Sequence, residues 1–398
     1  MATATILEAP PQVQPARKTP NFSARHVPEL DGLRGLAILM VLIRHCVYET
    51  HVLGHSRWIA APLELSSLTW SGVDLFFVLS GFLLGGILLD NRDSPHFFST
   101  FYVRRAFRIL PLYAVVVGGY YICIYLEFQG WIPATRWLFG KDIPWYSYLT
   151  FTQNFHWAAG GPNAANWMTA TWSLAVEEQF YLVLPAILWF LSGRKLYYAL
   201  GSVVLAAPLL RLYLVTHFSS GQMASFCLMP CRADALLLGV AAAVLVRKPT
   251  AWETVRTHRK WLAFAWIVLL TGLLEFVYLK QADPILSFWM TTIGFSWMAF
   301  FYLGLLLIGL IFTDGPLGKV LRNRWLKALG TISYGVYLIH KPVLGMVFDY
   351  DHKKWPLVDT TTERWMVLAA LGITFAIASI SWTYFEKPLL RFGRTAKY

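Results

Sequence analysis

Hydrophobic residues in this chain run in long continuous stretches instead of alternating with polar ones. Such runs are typical of membrane-spanning helices, whereas strands of a membrane barrel alternate apolar and polar positions. A helix needs about 20 residues to cross the hydrocarbon core of a bilayer. Ten stretches reach or approach that length: Gly35–Leu53, Gly72–Leu89, Leu110–Phe128, Trp172–Leu191, Leu196–Val215, Cys231–Val246, Trp261–Val277, Phe288–Phe312, Ile332–Phe348 and Met366–Phe385. The pattern predicts an all-α polytopic membrane protein with about ten transmembrane helices.

Composition agrees with that prediction and excludes a soluble globular chain. Of 398 residues, 57% are hydrophobic and only 14% are charged, and the mean hydropathy is +0.49. We expect one transmembrane domain over residues 29–390. Residues 1–28 and 391–398 are predicted to be cytoplasmic tails. The first tail is predicted to be disordered, because it is polar and proline-rich and lacks the apolar segment of a signal peptide.

The basic residues indicate an orientation. The chain has 34 Lys and Arg against 22 Asp and Glu, which gives a net charge of +12. With a cytoplasmic N-terminus, 23 of the 34 fall on the cytoplasmic side, seven on the opposite side and four within the spans. By the positive-inside rule we expect both termini in the cytoplasm of a bacterium and the protein in its inner membrane. Orientation and anionic lipid account for the charge, and no nucleic-acid partner is required.

Two polar residues interrupt the first span, and intramembrane polar groups are functional candidates by default. Arg34 and His45 are 11 residues apart, which places them on one helix face about 16 Å apart along the axis. This spacing matches a long donor with an anionic head, such as an acyl-coenzyme A. The arginine would bind phosphate and the imidazole would act as a base. The alternative is a snorkelling arginine and a histidine that bonds to a neighbouring helix.

Other spans carry further candidates. Asp74, Glu177 and the adjacent Glu178 lie at depths comparable with His45, so a carboxylate could hold the imidazole in one tautomer. Sequence position does not decide between Asp74 and Glu177 for this role. Three arginines lie within little more than one turn at the cytoplasmic side, where coenzyme A phosphates would bind or where they would only anchor the helix; they are Arg104, Arg105 and Arg108.

The remaining polar candidates are Tyr181, Arg232 and His340, and we expect Arg232 and Asp234 to form a structural ion pair. No metal site is predicted. Cys227 and Cys231 are four positions apart but lack companion ligands, so packing or a local disulfide explains them better.

Six segments resemble, in order, the motif series of the acyltransferase 3 family of integral membrane acyltransferases. They are "ELDGLRGLAILMVLIRH", "GVDLFFVLSGFLL", "FYVRRAFRILPLY", "WSLAVEEQFYLVLP", "SYGVYLIHKPV" and "YFEKPLL", and they span Glu29 to Leu390. The resemblance implies transfer of an acyl group, commonly acetyl from acetyl-coenzyme A, onto hydroxyls of carbohydrates, glycolipids or macrolides. It implies no permanently bound cofactor.

By position, the resemblance assigns functional roles to Arg34, His45, Glu177 and the three arginines of the third motif. Two departures stand out. Ala175 replaces a common serine, and no extracytoplasmic SGNH-type domain follows Glu386. We therefore expect a stand-alone O-acyltransferase in which arginines hold the coenzyme and His45 deprotonates the acceptor hydroxyl. Direct transfer and an acyl-enzyme route both stay open.

Two other classes of protein place polar groups in membrane helices. A proton-coupled transporter would move substrate without an acyl donor, and it usually has a repeat symmetry that this sequence does not show. A glycosyltransferase that uses lipid-linked sugars would need an acidic pair in the loop Val52–Trp70, which offers only Glu64.

Overall fold

The computed structural model describes residues 27–50, 66–132, 136–139, 143–160, 165–278, 285–352 and 357–398. Within these ranges the protein is helical and has no β-strand. Ten long helices follow one another: α1 Pro28–Ile43, α2 Gly72–Asp90, α3 Phe97–Phe128, α4 Thr171–Phe190, α5 Gly193–His217, α6 Met229–Val246, α7 Arg259–Tyr278, α8 Phe295–Ile311, α9 Ser333–His352 and α10 Thr361–Ser381. The predicted all-α class is confirmed. The predicted disorder of the N-terminal tail and the loop around Glu64 lie outside the described residues.

Shorter helical segments connect the long ones. Two α-helical segments flank α6, Gly221–Cys227 and Pro249–Thr257, and two precede α9, Pro316–Leu321 and Arg324–Thr331. The α-helical turns between α3 and α4 are Arg136–Phe139, Trp145–Leu149 and Gln153–Ala158, and 3₁₀ turns occur at Ser67–Ser71 and Asn166–Met168. Three π-helical turns extend long helices: Arg44–Tyr48 after α1, Met290–Gly294 before α8, and Trp382–Glu386 after α10, which leads into Lys387–Gly393.

Each predicted span overlaps one of the ten long helices of the described residues. Within that part of the chain, seven helices are long and apolar enough to cross a membrane: Ser67–Asp90, Phe97–Phe128, Asn166–Phe190, Gly193–His217, Gly221–Val246, Met290–Ile311 and Thr361–Gly393. Helix α1, with 16 residues, is shorter than the roughly 17–25 residues of a typical span. The protein is therefore a multi-pass membrane protein, while the count of ten and the side of the termini stay predictions.

Local sequence explains where key helices begin and how closely they pack. Thr360 caps α10 in a capping box. Its side chain accepts a hydrogen bond from the Glu363 backbone amide, and the Glu363 side chain accepts one from the Thr360 backbone amide. Gly81 on α2 and Gly239 on α6 lie at a close crossing, because a Cβ at either position would meet backbone atoms of the other helix. Small residues permit such crossings between membrane helices. Helix α2 also contacts α1 and α4, and α9 contacts α1 and α3, so these helices surround the site.

Candidate active site

A cavity of about 600 Å³ lies among α1, α2, α3, α4, α9 and the C-terminal segment, residues 382–398. This volume is within the range of small-molecule and cofactor pockets. Helix α2 lines the cavity from Val73 to Ile87, which corresponds to about 21 Å of helix at 1.5 Å per residue. The cavity is therefore long enough for an extended ligand that follows α2.

Arginines concentrate at one end of this cavity. They come from the start of α1, from the first half of α3 and from the C-terminal segment, and they are Arg34, Arg104, Arg105, Arg108 and Arg394. Arg34 donates from Nη2 to Ser333 Oγ at 3.4 Å. The Arg108 guanidinium lies over the rings of Tyr334 and Trp382, at 5.9 and 5.7 Å from their centroids. The structure thus brings together all four predicted arginines, and their shared positive charge favours an anionic ligand.

The C-terminal segment occupies part of this arginine end, which the sequence reasoning missed. Arg104 donates from Nε and Nη2 to the Ala396 carbonyl at 3.0 and 2.8 Å. Its guanidinium also lies 5.0 Å from the Tyr398 ring centroid. Burial raises the pKa of the Tyr398 hydroxyl, so the hydroxyl stays neutral beside the arginines. Arg394 and Tyr398 both line the cavity, although the sequence assigned residues 391–398 only to a tail.

A carboxylate and two hydroxyls line the middle of the cavity. Ser80 donates to Glu177 Oε1 at 2.5 Å, and Tyr181 donates from its hydroxyl to Ser80 Oγ at 3.0 Å. Glu177 therefore binds Ser80, and it is not the carboxylate nearest to His45. Glu178 does not line the cavity, and its Oε1 atom is buried without a hydrogen-bond partner among the described residues.

Two aromatic rings line the cavity beyond the arginines. Phe76 and Tyr337 have ring centroids 6.3 Å apart and both line the cavity. The Tyr337 hydroxyl donates to the Ala170 carbonyl at 2.8 Å and lies 2.5 Å from Ser173 Oγ. The His340 ring centroid is a further 6.0 Å from that of Tyr337. A pair of histidines therefore lies next to Tyr337, a residue that lines the cavity.

This pair consists of His45, in the π-helical turn after α1, and His340 on α9. His340 Nε2 is 2.9 Å from His45 Nδ1, and the rings stack with centroids 4.9 Å apart. The other nitrogen of His45, Nε2, is 3.8 Å from Glu49 Oε1. The His45 side chain retains 17% exposure, whereas His340 is buried. His45 is thus the more exposed histidine of the pair, and π-helical turns occur frequently at functional sites.

Glu49 is the carboxylate that faces His45, and sequence reasoning missed it. Arg44 Nε donates to Glu49 Oε1 at 3.1 Å, and Lys341 Nζ is 3.5 Å from Glu49 Oε2. Lys341 also donates to Asn166 Oδ1 at 3.4 Å. The signal that could have identified Glu49 is its i+4 spacing from His45, which places both on one side of a helix.

Sequence position left Asp74 and Glu177 as alternative partners for His45, and in the structure Asp74, like Glu177, binds another residue. Arg232 Nη2 donates to Asp74 Oδ1, and both residues are at most 1% exposed. The expected pair between Arg232 and Asp234 is also absent: Asp234 Oδ2 instead binds Arg211 Nη1 of α5 at 3.0 Å. Residues two apart on a helix point about 200° apart, so Arg232 and Asp234 face different neighbours and not each other.

Cys227 and Cys231 are both buried and free. Among the described residues, no group of three or more His, Cys, Asp and Glu could hold a metal ion.

Comparison with known proteins identifies relatives over most of the chain. Residues 27–383 match a family described as "Acyltransferase domain". The peptidoglycan O-acetyltransferase OatA of Listeria monocytogenes is 28% identical over 401 residues, which cover 95% of this chain and 58% of the relative. YrhL of Bacillus subtilis, named as a candidate peptidoglycan O-acetyltransferase, is 25% identical over 386 residues, which cover 92% of this chain and 55% of the relative. This chain thus spans little more than half the length of these relatives. No solved structure matches the sequence.

Proposed function

The chain belongs to the acyltransferase 3 family, and from this premise we propose that it is an inner-membrane O-acyltransferase. It moves an acyl group, acetyl in the first instance, from acyl-coenzyme A to a hydroxyl of a carbohydrate, glycolipid or macrolide acceptor. The observation that carries the proposal is the long cavity, which has arginines at one end and a histidine pair next to Tyr337, one of its lining residues.

The cavity suits the parts of a coenzyme A molecule. Phosphates would bind at the arginine end, where guanidinium groups offer paired donors. The pantetheine arm would extend along α2, where Leu79, Leu83 and Ile87 provide apolar contacts. The thioester would then lie near Phe76 and Tyr337, on the side of the cavity nearest to His45.

In the proposed reaction His45 is the general base. His45 Nε2 takes the proton from the acceptor hydroxyl, and the oxygen attacks the thioester carbonyl carbon. The new O–acyl bond forms as the carbon–sulfur bond breaks, and the coenzyme leaves as a thiolate that takes up a proton. Glu49, held by Arg44 and Lys341, stabilises the imidazolium that forms. Direct transfer needs no acylated side chain.

The predicted orientation supports a cytoplasmic donor, and the names of the relatives support a carbohydrate acceptor. The positive-inside bias assigns the arginine end to the cytoplasm, where acyl-coenzyme A is available. The relatives carry the name peptidoglycan O-acetyltransferase, so peptidoglycan is the first acceptor to test.

Purified protein in liposomes, supplied with acetyl-coenzyme A labelled in the acetyl group and with fractionated envelope glycans, tests the proposal. We expect label on a glycan fraction as a base-labile ester, and roughly 10²-fold slower labelling with the His45→Gln variant. A proton-coupled transporter would instead move solute across the vesicle without acetyl-coenzyme A. Solute movement with no acetyl ester on any fraction would refute the acyltransferase proposal.

A further inference from the structure

We propose that His340 is a positioning residue that fixes the tautomer of His45, so that Nδ1 carries the proton and Nε2 is the basic atom. This inference deepens the proposed function and rests on it, because it assigns the atom that accepts the hydroxyl proton. His340 itself does not contact the reacting atoms. It acts through the hydrogen bond that it shares with His45.

The first step concerns the proton on His340. Its Nδ1 atom is 3.1 Å from the Val336 carbonyl oxygen and 2.8 Å from the Tyr337 carbonyl oxygen. Carbonyl oxygens only accept hydrogen bonds, so Nδ1 must donate and therefore carries a proton. An unprotonated Nδ1 would direct its lone pair at two carbonyl oxygens in a buried site, which is unfavourable. Neutral His340 therefore has its lone pair on Nε2.

The second step uses the lone pair on His340 Nε2 to infer the proton position on His45. His340 Nε2 and His45 Nδ1 are 2.9 Å apart, a hydrogen-bond distance. Because His340 Nε2 accepts, His45 Nδ1 must donate, and neutral His45 is left with its lone pair on Nε2. A histidine in this arrangement resembles one whose second nitrogen is held by a carboxylate or a backbone carbonyl, which fixes both the tautomer and the orientation of the ring.

The third step concerns where the basic atom points. His45 Nε2 lies 3.8 Å from Glu49 Oε1, a distance too long for a direct hydrogen bond but short enough for an ion pair. When Nε2 takes up a proton, the Nδ1–H bond to His340 is preserved and the new charge forms next to Glu49. The opposite tautomer would direct N–H at Glu49 and would leave Nε2 without the lone pair that takes up the proton. His340 thus keeps the base in the form that the reaction needs.

The tautomer can be observed without an activity assay. Protein labelled with ¹⁵N in histidine side chains, in liposomes at neutral pH, gives separate nitrogen NMR signals for protonated and unprotonated ring nitrogens. The His45 signals are identified by their loss in His45→Gln, and His217→Gln, which removes an exposed histidine on α5, is the matched control. We expect His45 to be protonated on Nδ1 and unprotonated on Nε2.

Two substitutions of His340 distinguish positioning from packing. In His340→Gln the amide oxygen can replace Nε2 as the acceptor, so we expect the tautomer and most of the transfer rate to be retained. In His340→Met the acceptor is lost while the apolar volume is largely kept. There we expect a mixture of His45 tautomers and a fall in kcat of at least about tenfold, with the KM for acetyl-coenzyme A unchanged.

The inference is overturned if wild-type His45 is protonated on Nε2, or if His340→Met leaves the His45 tautomer unchanged. Equal loss of activity in the Gln and Met variants with unchanged nitrogen signals would likewise show a packing role alone. If wild-type protein transfers no acetyl group, the proposed function fails, and the nitrogen signals still decide the positioning role of His340.

Discussion

The buried ion pair between Asp74 and Arg232 makes a quantitative prediction about stability. Asp74 is 0% exposed and Arg232 is 1% exposed. Within the described residues, Asp74 Oδ2 and the Nε and Nη1 atoms of Arg232 have no hydrogen-bond partner. The Arg232 guanidinium packs on the Phe295 ring, with its Cζ atom 3.9 Å from the ring centroid. Replacing Asp74 with asparagine therefore leaves a buried cation without its counter-ion, which typically costs about 3–5 kcal/mol.

A double-mutant cycle isolates this cost. We expect Asp74→Asn and Arg232→Met each to lower the free energy of unfolding by a few kcal/mol, about as much as breaking a buried pair usually does. The double variant should recover most of the loss, because it leaves no uncompensated charge. Unfolding in mixed detergent micelles, followed by tryptophan fluorescence, measures these free energies.

The same variants show whether Asp74 has a catalytic role. Since Asp74 binds Arg232 and not His45, acetyl transfer per folded Asp74→Asn molecule should stay within about threefold of wild type, far from the roughly 10²-fold loss expected for an acid–base group. Unchanged stability together with a loss of that larger size would refute the structural assignment and return Asp74 to the role of a partner for His45.

Three further predictions concern the proposed mechanism and orientation. His45→Gln should bind coenzyme A as wild type does but transfer acetyl roughly 10²-fold more slowly; wild-type transfer at matched expression would make His45 a structural residue. Arg34→Ala should weaken coenzyme A binding by roughly tenfold or more in calorimetry, and Arg34→Lys should restore only part of it. Arg104→Ala should have a smaller effect, because the Ala396 carbonyl already accepts from two of its three donor nitrogens; equal losses would contradict this ranking. In a background without native cysteines, cysteines at the exposed positions Arg256 and Asp359 should react with an impermeant thiol reagent from opposite sides of the membrane, and reaction from one side would refute the predicted topology.

The helices and the arginine end of the cavity were predictable from sequence for physical reasons. Continuous apolar runs specify membrane helices whatever their tertiary partners are, because the bilayer requires every backbone polar group to be satisfied within the helix. Arg34, Arg104, Arg105 and Arg108 lie near helix ends that the charge bias assigns to one side of the membrane, so their proximity needed little more than a correct topology.

The partners of the intramembrane charges were not predictable in the same way. Depth along a helix follows from sequence position, but a side chain's partner depends on the rotation of two helices about their axes. Sequence position predicts comparable depths for Asp74 and His45, yet in the structure Asp74 faces Arg232 of α6. Glu49 was missed because it follows His45 by one turn at the end of the span, where a charged residue needs no special explanation.

The position of the histidines beside the cavity has a chemical consequence for the proposed reaction. A base that activates a sugar hydroxyl next to a thioester would also activate water, and hydrolysis would then consume the donor. Phe76 and Tyr337 line the cavity, the Tyr337 ring centroid is 6.0 Å from that of His340, and the Tyr337 hydroxyl is held by the Ala170 carbonyl and Ser173. We therefore expect these two rings to control how closely a donor thioester in the cavity approaches His45. Such control would limit the time for which thioester, base and water are together.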